Sequence, residues 1–501
     1  MPANTLLISL ARALRFSCLI VAACSTWPSP SFADEENAAT LRPNVLFIAI
    51  DDLRPELGCY GSRALTPNID RLAASGLSFD RAYCNQAVCG ASRVSLMTGL
   101  YPEFTGERTY HVTDWRKRWA DVVTLNQHFT QSGYTTIGLG KIYHGSNGPG
   151  VDPENWTEWV KVRGREYANP ESLKARKKNP RNRAGRNKGP STEVSDAGDE
   201  SHSDGNRAKV GASRLQQLVE AGKPFFLAVG FTKPHLPFVA PKKYWDLYDR
   251  RSFALPPNRG VPPGYPDWAR NRNAGELRAY SDVAGKGTPA EFPDALNRRL
   301  LHGYHACVSY TDRNIGVLLD ALESSGASKN TIVVLWADHG WKLGDHSSWC
   351  KHTNFECDTR VPLIIRDPRR ASTRGRSKAL VELIDLYPTL CDLSGLDKPE
   401  HLQGKSLLPV LENPAASHRD FAYSSYPHGR GKGQTGVVGH SIRTARHRYT
   451  EWWEKGTDKT VASTLTDVEA DPGETTVVQG EAELRARLSK ALRTRVLGAR
   501  K

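Results

Sequence analysis

Pro43-Asn44-Val45-Leu46-Phe47-Ile48-Ala49-Ile50-Asp51-Asp52 decides the fold. Its apolar residues run unbroken from Val45 to Ile50 and stop at two carboxylates. A strand with one face in water alternates apolar and polar residues, whereas a continuous run marks a strand covered on both faces. Two further stretches share this character. Phe225-Phe226-Leu227-Ala228-Val229 lies within Lys223–Phe231, and Thr331-Ile332-Val333-Val334-Leu335-Trp336 leads into Asp338-His339-Gly340. Helical patterns separate them. Thr66 to Gly76 has Thr66 as its cap, Pro67 at its first position and Gly76 at its stop, and Ser309 to Leu322 reads as another helix. Buried strands alternating with helices predict an α/β fold, with a mostly parallel sheet flanked by helices.

In such a sheet, ligands bind beyond the carboxyl ends of the strands. Asp51, Asp52, His235, Asp338 and His339 each follow a buried strand pattern closely, so residues distant in sequence are predicted at one rim. The carboxylates of Asp51, Asp52 and Asp338 repel one another there unless a cation joins them. Their oxygens are hard ligands suited to calcium or magnesium. An Asp-Asp pair after a strand is also a common capping pair, so the metal reading depends on its company.

That company includes Cys89-Gly90-Ala91-Ser92-Arg93, continued by Val94-Ser95-Leu96-Met97-Thr98-Gly99. Cys89 falls at the start of a predicted helix, where free backbone N–H groups favour an anion. Arg93 is four residues on, on the same face one turn away. Read alone, the pair can also be a buried structural cysteine beside a surface arginine. Gly140-Lys141-Ile142-Tyr143-His144 places a cation and a proton donor where both can serve one anion. Lys351, thirteen residues after Asp338, adds another cation. His235 lies in the stiff segment Lys233-Pro234-His235-Leu236-Pro237, which suits a general acid for a leaving alcohol. Each of these, taken singly, also reads as an ordinary surface residue.

Working outward, the chain has 501 residues and 39% hydrophobic content, enough for a large α/β domain with an appendage and unlike a disordered chain. Arg12 and Arg15, the apolar run Phe16 to Ala23 and the small residues of Ser31-Phe32-Ala33 read as a signal peptide over residues 1–33. This predicts a secreted or periplasmic protein. Val21-Ala22-Ala23-Cys24 also fits a lipoprotein box, which would anchor the chain through lipid on Cys24. No later run is long and apolar enough to span a bilayer. Beyond the leader remain Cys59, Cys84, Cys89, Cys307, Cys350, Cys357 and Cys391, an odd number that leaves at least one thiol unpaired or modified. None forms a CxxC pair, which argues against structural zinc. Cys350 and Cys357 are close enough in sequence to bridge, but connectivity is not legible.

The net charge is +14; losing residues 1–33 removes Arg12 and Arg15 and no acid, leaving +12. Much of it is local: from Lys161 to Pro190, eleven Lys or Arg face only Glu166 and Glu171. This stretch is either a solvated insertion or a patch that attracts a polyanion, and for an exported protein a sulfated polysaccharide fits better than nucleic acid. The polar segment 161–213 reads as a basic irregular insertion. Past residue 400 the pattern changes. Phe421–Ser424 and Ser441–Thr444 look like short strands and Leu484 to Leu497 like a terminal helix, which together predict a small α+β subdomain.

The Cys89–Gly99 stretch resembles the type I sulfatase signature. Asp51–Gly58, Thr66–Leu72, Lys233–His235, Asp338–Trp341, Val381–Leu383 with Tyr387–Leu390, and Ser441–Thr444 with Arg448–Thr450 resemble the iduronate 2-sulfatase branch, over roughly residues 41–475. The resemblance implies an alkaline-phosphatase-like fold, with a catalytic domain over 41–400 and a C-terminal subdomain over 401–501. It implies that a formylglycine-generating or equivalent maturation enzyme converts Cys89 to formylglycine. It implies one calcium ion on Asp51, Asp52, Cys89, Asp338 and His339. Arg93 and His144 would position formylglycine, Lys141 and Lys351 the sulfate, and His235 the leaving oxygen. Ala91 stands where Pro is commoner, and His339 where many relatives carry Asn. The implied activity is hydrolysis of sulfate esters, with 2-O-sulfate on a uronic acid or related sugar of a polysaccharide as the expected substrate. Two rivals stand beside it: a phosphate mono- or diesterase of the same superfold, and a non-catalytic sulfated-glycan-binding protein.

Overall fold

The computed structural model describes residues 42–106, 115–145, 149–179, 187–283, 285–370, 374–429 and 435–498. The leader reading over 1–33, with Cys24, lies outside the described residues.

The opening run forms the strand Asn44–Asp51, at the middle of a nine-stranded sheet. It pairs in parallel with Phe225–Pro234 on one side and Thr331–Ala337 on the other. These are the three runs that sequence marked as doubly covered, and Val45 to Ile50 are all fully buried. Thr135–Gly140 and then Glu158–Val160 extend the sheet in parallel beyond Phe225–Pro234. On the other side Leu363–Arg366 returns antiparallel to Thr331–Ala337 and pairs onward with Leu77–Tyr83. Arg360–Val361 and Gly375–Glu382 also pair with Leu77–Tyr83, the second in parallel. The sheet is therefore mixed but mostly parallel.

The helix predicted over Ser309–Leu322 begins much earlier and spans Asp294–Ser324, 31 residues. Asn297-Arg298-Arg299 and the ring nitrogens of His302 and His305 mask its apolar stripe in the sequence, although Leu296, Leu300, Leu301, Tyr304 and Val308 are buried. The prediction of an irregular 161–213 segment is corrected. It contains the helix Pro170–Lys178, the strand Thr192–Ser195 paired in parallel with Phe238–Pro241, and the first half of the helix Ser203–Glu220. Small residues conceal this last helix: Gly205, Ala208 and Gly211 carry its buried face, and Gly211 lets it approach Leu318 and Val229.

Toward the C-terminus, Ala422–His428, Val437–Arg443, His447–Glu454 and Thr460–Asp467 form a separate antiparallel sheet. Leu488, Leu492 and Val496 of the helix Ala482–Gly498 pack on its Tyr423, Ile442, Tyr449, Trp453 and Leu465. A buried ionic cluster fastens this sheet to the larger one. Glu356 meets Arg443 at 3.2 Å and Arg448 at 2.5 Å, and Arg448 also meets Glu474 at 2.9 Å. All seven described cysteines are free thiols, so Cys350 and Cys357 do not bridge.

Candidate active site

Four strand ends and one helix start meet at the carboxyl rim. Asp51 ends its strand, and Asp52 turns away from it at φ 60°. Asp338 follows Thr331–Ala337, and Lys141 follows Thr135–Gly140. His235 follows Phe225–Pro234, between two cis X-Pro bonds. Gly140 and Gly230 are register partners, with Gly140 at φ 75°. A Cβ on either would overlap backbone: the Gly230 carbonyl from 140, and the Lys141 peptide from 230. This close crossing lets Lys141 N donate to Gly230 O at 2.9 Å and aims the lysine at Asp51.

The helix Cys89–Thr98 starts after extended Val88 and stops at left-handed Gly99, and every residue in it is buried. Cys89 Sγ lies 3.2 Å from His339 Nε2 and 3.8 Å from Lys141 Nζ. Ser92 Oγ donates to the Asp338 carbonyl at 2.5 Å. Arg93 Nε donates to Asp338 Oδ2 at 2.9 Å and its Nη1 to Ile142 O at 3.1 Å and to Lys141 O, with Asp51 Oδ1 3.5 Å away. Its guanidinium thus braces the carboxylates from behind.

Lys141 pairs with Asp51. Lys351 Nζ sits 2.9 and 3.2 Å from the oxygens of Asp52 and over the Trp341 ring. Asp338 Oδ1 accepts from Asp52 N at 3.1 Å and His339 N at 3.0 Å. His339 Nε2 is 3.5 Å from Asp52 and 3.4 Å from Asp338. His144 is half-buried, and its ring senses Lys141, Asp51, Arg93 and His235. The ten candidate catalytic and metal-binding residues named in the sequence therefore lie in one cluster.

Burial opposes charge throughout. Asp51 is nonetheless held well below the carboxylate range, by Lys141 first and then by His235 and Arg93. Asp52 is pushed up to about 8 by burial, with Lys351 opposing. Burial, then the neighbouring Asp51, drives the Cys89 thiol well above its usual range, so it stays protonated and is a poor nucleophile as it stands. His144 falls to about 3 through burial and then Lys141, and is a neutral ring. Burial also pushes His235 down, yet its Nδ1 is 2.6 Å from Leu236 O and its Nε2 2.9 Å from Glu276 Oε1. Both partners are acceptors, so this arrangement demands a proton on each nitrogen.

Asp51, Cys89, Asp338 and His339 bring one ligand atom each within 4.8 Å of one another, as do Asp51, Asp52, Cys89 and His235. Asp51 Oδ1 is buried without a hydrogen-bond partner, as an oxygen left for a cation would be. The donor set, mainly carboxylate oxygens, fits a hard divalent cation. Sequence reading missed Glu276. It stands on the short helix Gly275–Arg278 in a polar stretch, with no periodicity or motif to mark it.

A mostly parallel sheet with a buried cysteine, carboxylates and lysines at its carboxyl rim makes an α/β protein whose rim is suited to an anionic ester. The Sulfatase family model matches residues 43–396, and the model for the C-terminal part of N-sulphoglucosamine sulphohydrolase matches 344–501. Iduronate 2-sulfatase of Mus musculus is 32% identical, covering 88% of this chain and 90% of its own length. A structure of BT4656 in complex with its substrate D-glucosamine-2-N,6-O-disulfate superposes with TM-score 0.71 at 23% identity, over 92% of this chain and 98% of that one. Phosphonate monoester hydrolase of Agrobacterium radiobacter superposes with TM-score 0.69 at 23% identity, over 92% and 95%. The chain belongs to the sulfatase family, and it is a sulfuric ester hydrolase. No described helix is long and apolar enough to cross a membrane.

Proposed function

We propose that the chain removes sulfate from a sulfated uronic acid or related sugar of a polysaccharide, at the 2-O position, after Cys89 is converted to formylglycine. The observation that carries the mechanism is Cys89 itself: a buried, protonated thiol at a helix start, against His339 and Lys141. A maturation enzyme would convert it, and the hydrated aldehyde would supply the nucleophilic oxygen. Calcium on Asp51, Asp52, Asp338, His339 and the group at 89 would supply positive charge for the sulfate oxygens.

The protein's own side chains do the rest. Arg93 locks Asp338 in place from behind, and its charge lies beside the position of the nucleophile. Neutral His144 is placed to accept a hydrogen bond from that nucleophile. Lys141 and Lys351 turn their ammonium groups to the sulfate oxygens. His235 delivers its Nε2 proton to the bridging oxygen as the S–O bond breaks, and that bond's electron pair stays on the departing sugar oxygen. Burial keeps bulk water from competing.

The preference for sulfate over phosphate rests on membership of the sulfatase family. The choice of sugar follows the identity to iduronate 2-sulfatase. The exposed Lys174, Lys177 and Lys178 are suited to hold a polyanionic chain. The leader reading, with export or lipid attachment at Cys24, belongs to the same proposal.

Mass spectrometry of the Cys89 peptide, from protein made with a maturation enzyme, tests the modification. An aldehyde or its hydrate is expected. Full turnover by protein carrying only the thiol would refute the mechanism. Parallel rates on aryl sulfate and aryl phosphonate esters test the reaction, and faster phosphonate cleavage would transfer the site to the other chemistry.

A further inference from the structure

We propose that Glu276 is a positioning residue that couples the leaving-group side of the site to its sulfate side, an inference resting on the roles given above to His235 and Lys351. Its two oxygens serve two cations from separate parts of the fold. Oε1 lies 2.9 Å from His235 Nε2, and Oε2 lies 3.1 Å from Lys351 Nζ. The carboxylate itself is well placed to stay charged: burial opposes it, but Lys351 and then His235 hold it well below the usual range.

Lys351 needs such an anchor. It stands between Cys350 at φ 71° and His352 at φ 88°, two non-glycine residues in the left-handed region. Such a conformation is strained and persists only where surrounding contacts impose it. The segment carrying Glu276 imposes it twice. Asn271 Nδ2 donates to the Lys351 carbonyl at 2.7 Å, and Glu276 takes the ammonium group. A lysine side chain gives up much rotamer freedom when fixed, so a counter-charge held beside that of Asp52 sets how much of the time the ammonium group is in place. The Glu276 carboxylate also accepts from His235 Nε2–H while Leu236 O holds the other nitrogen, so it keeps the ring and its proton in place until the bridging oxygen of the ester displaces it from Nε2. Glu276 is 22% exposed, whereas Asp51 and Asp52 are fully buried, so it stands on the outer edge of the cluster.

The test compares Glu276→Gln and Glu276→Asp on two esters, an unactivated sugar or alkyl sulfate and 4-nitrophenyl sulfate. An alkoxide leaving group needs the His235 proton, and nitrophenolate does not. Glu276→Gln should lower kcat on the unactivated ester by about 10- to 100-fold, no more than the lower end of what a general acid contributes, because His235 itself remains. On the activated ester it should fall only a few-fold, from the loosened Lys351. Glu276→Asp, which keeps the charge on a shorter stem, should recover part of the lost ratio. Equal losses on both esters, or a Glu276→Asp protein indistinguishable from the parent on both, would overturn the proposal. The second variant decides the matter should Glu276→Gln fail to fold. His235→Ala is measured alongside. If it shows the leaving-group bias and the Glu276 variants do not, the inference alone falls. If His235→Ala shows no bias, the general-acid assignment falls and takes the inference with it.

Discussion

Replacing Asp338 with Asn changes one atom type in the most heavily used side chain of the site. Asp338 accepts from Arg93 Nε at 2.9 Å, Asp52 N at 3.1 Å and His339 N at 3.0 Å, and is fully buried. Losing its charge leaves buried Arg93 with Asp51 alone, at 3.5 Å. Breaking a buried pair on one side costs about 3–5 kcal/mol. For a chain of this length the unfolding entropy is about 1 kcal/mol/K, so in chelator Asp338→Asn should melt about 3–5 °C below the parent. The second effect is independent. If calcium binds as proposed, a hundred times its Kd should stabilise the parent by about 2.7 kcal/mol and raise Tm by about 3 °C. Asn offers a neutral oxygen where a carboxylate stood, so the calcium response should shrink below about 1 °C. Thermal unfolding with chelator and with calcium, plus metal analysis of the purified proteins, separates the two shifts. An Asp338→Asn protein whose Tm climbs with calcium as far as the parent's would sink the metal assignment, whatever its activity.

Glu356, although burial raises it, is held at about 2 instead of 4.5 by Arg443 and then Arg448. A depressed carboxylate stabilises the fold above its unfolded pKa, so about 3 kcal/mol should be lost as pH falls from about 4.5 to 2. Arg448→Met should lower Tm by several degrees at pH 7, because it leaves Glu356 and Glu474 short of a partner, and should flatten that acid limb; unchanged acid unfolding would refute the linkage. Neutralising Lys174, Lys177 and Lys178 should raise KM for a sulfated polymer at low salt and leave a small aryl sulfate unaffected. Added salt should erase the difference, since exposed charges are screened over about 10 Å at 0.1 M. An equal loss on both substrates would assign the helix Pro170–Lys178 to folding instead.

The parts of the molecule legible in the sequence are those where one residue type does one job. Val45–Ile50 and Ile332–Trp336 are continuous because both faces of those strands are covered, and the acids that stop them must lie at the rim. Thr135–Gly140 occupies an equally central place but has no such run, since Gly138 and Gly140 yield room to Trp159 and to the Gly230 carbonyl. The full length of Asp294–Ser324 was hidden by buried polar side chains with partners elsewhere in the fold, such as Asn297 and His302. Glu276 was illegible for a different reason. Its meaning lies wholly in contacts with His235 and Lys351, both distant in sequence, and a lone Glu between Gly275 and Leu277 carries no local sign of them.

The crossing of Gly140 and Gly230 bears on how this chain can drift. Each glycine exists for the other's backbone, so a methyl group at either site would push the Lys141 peptide off its course, and no change at the partner makes room because neither has a side chain to give up. Substitution at this rim is therefore closed at two adjacent strands and open beyond them, on segments such as the one that bears Glu276. A change in that segment leaves the spacing between Lys141 and Asp51 untouched, because the two strand ends that set it lie elsewhere.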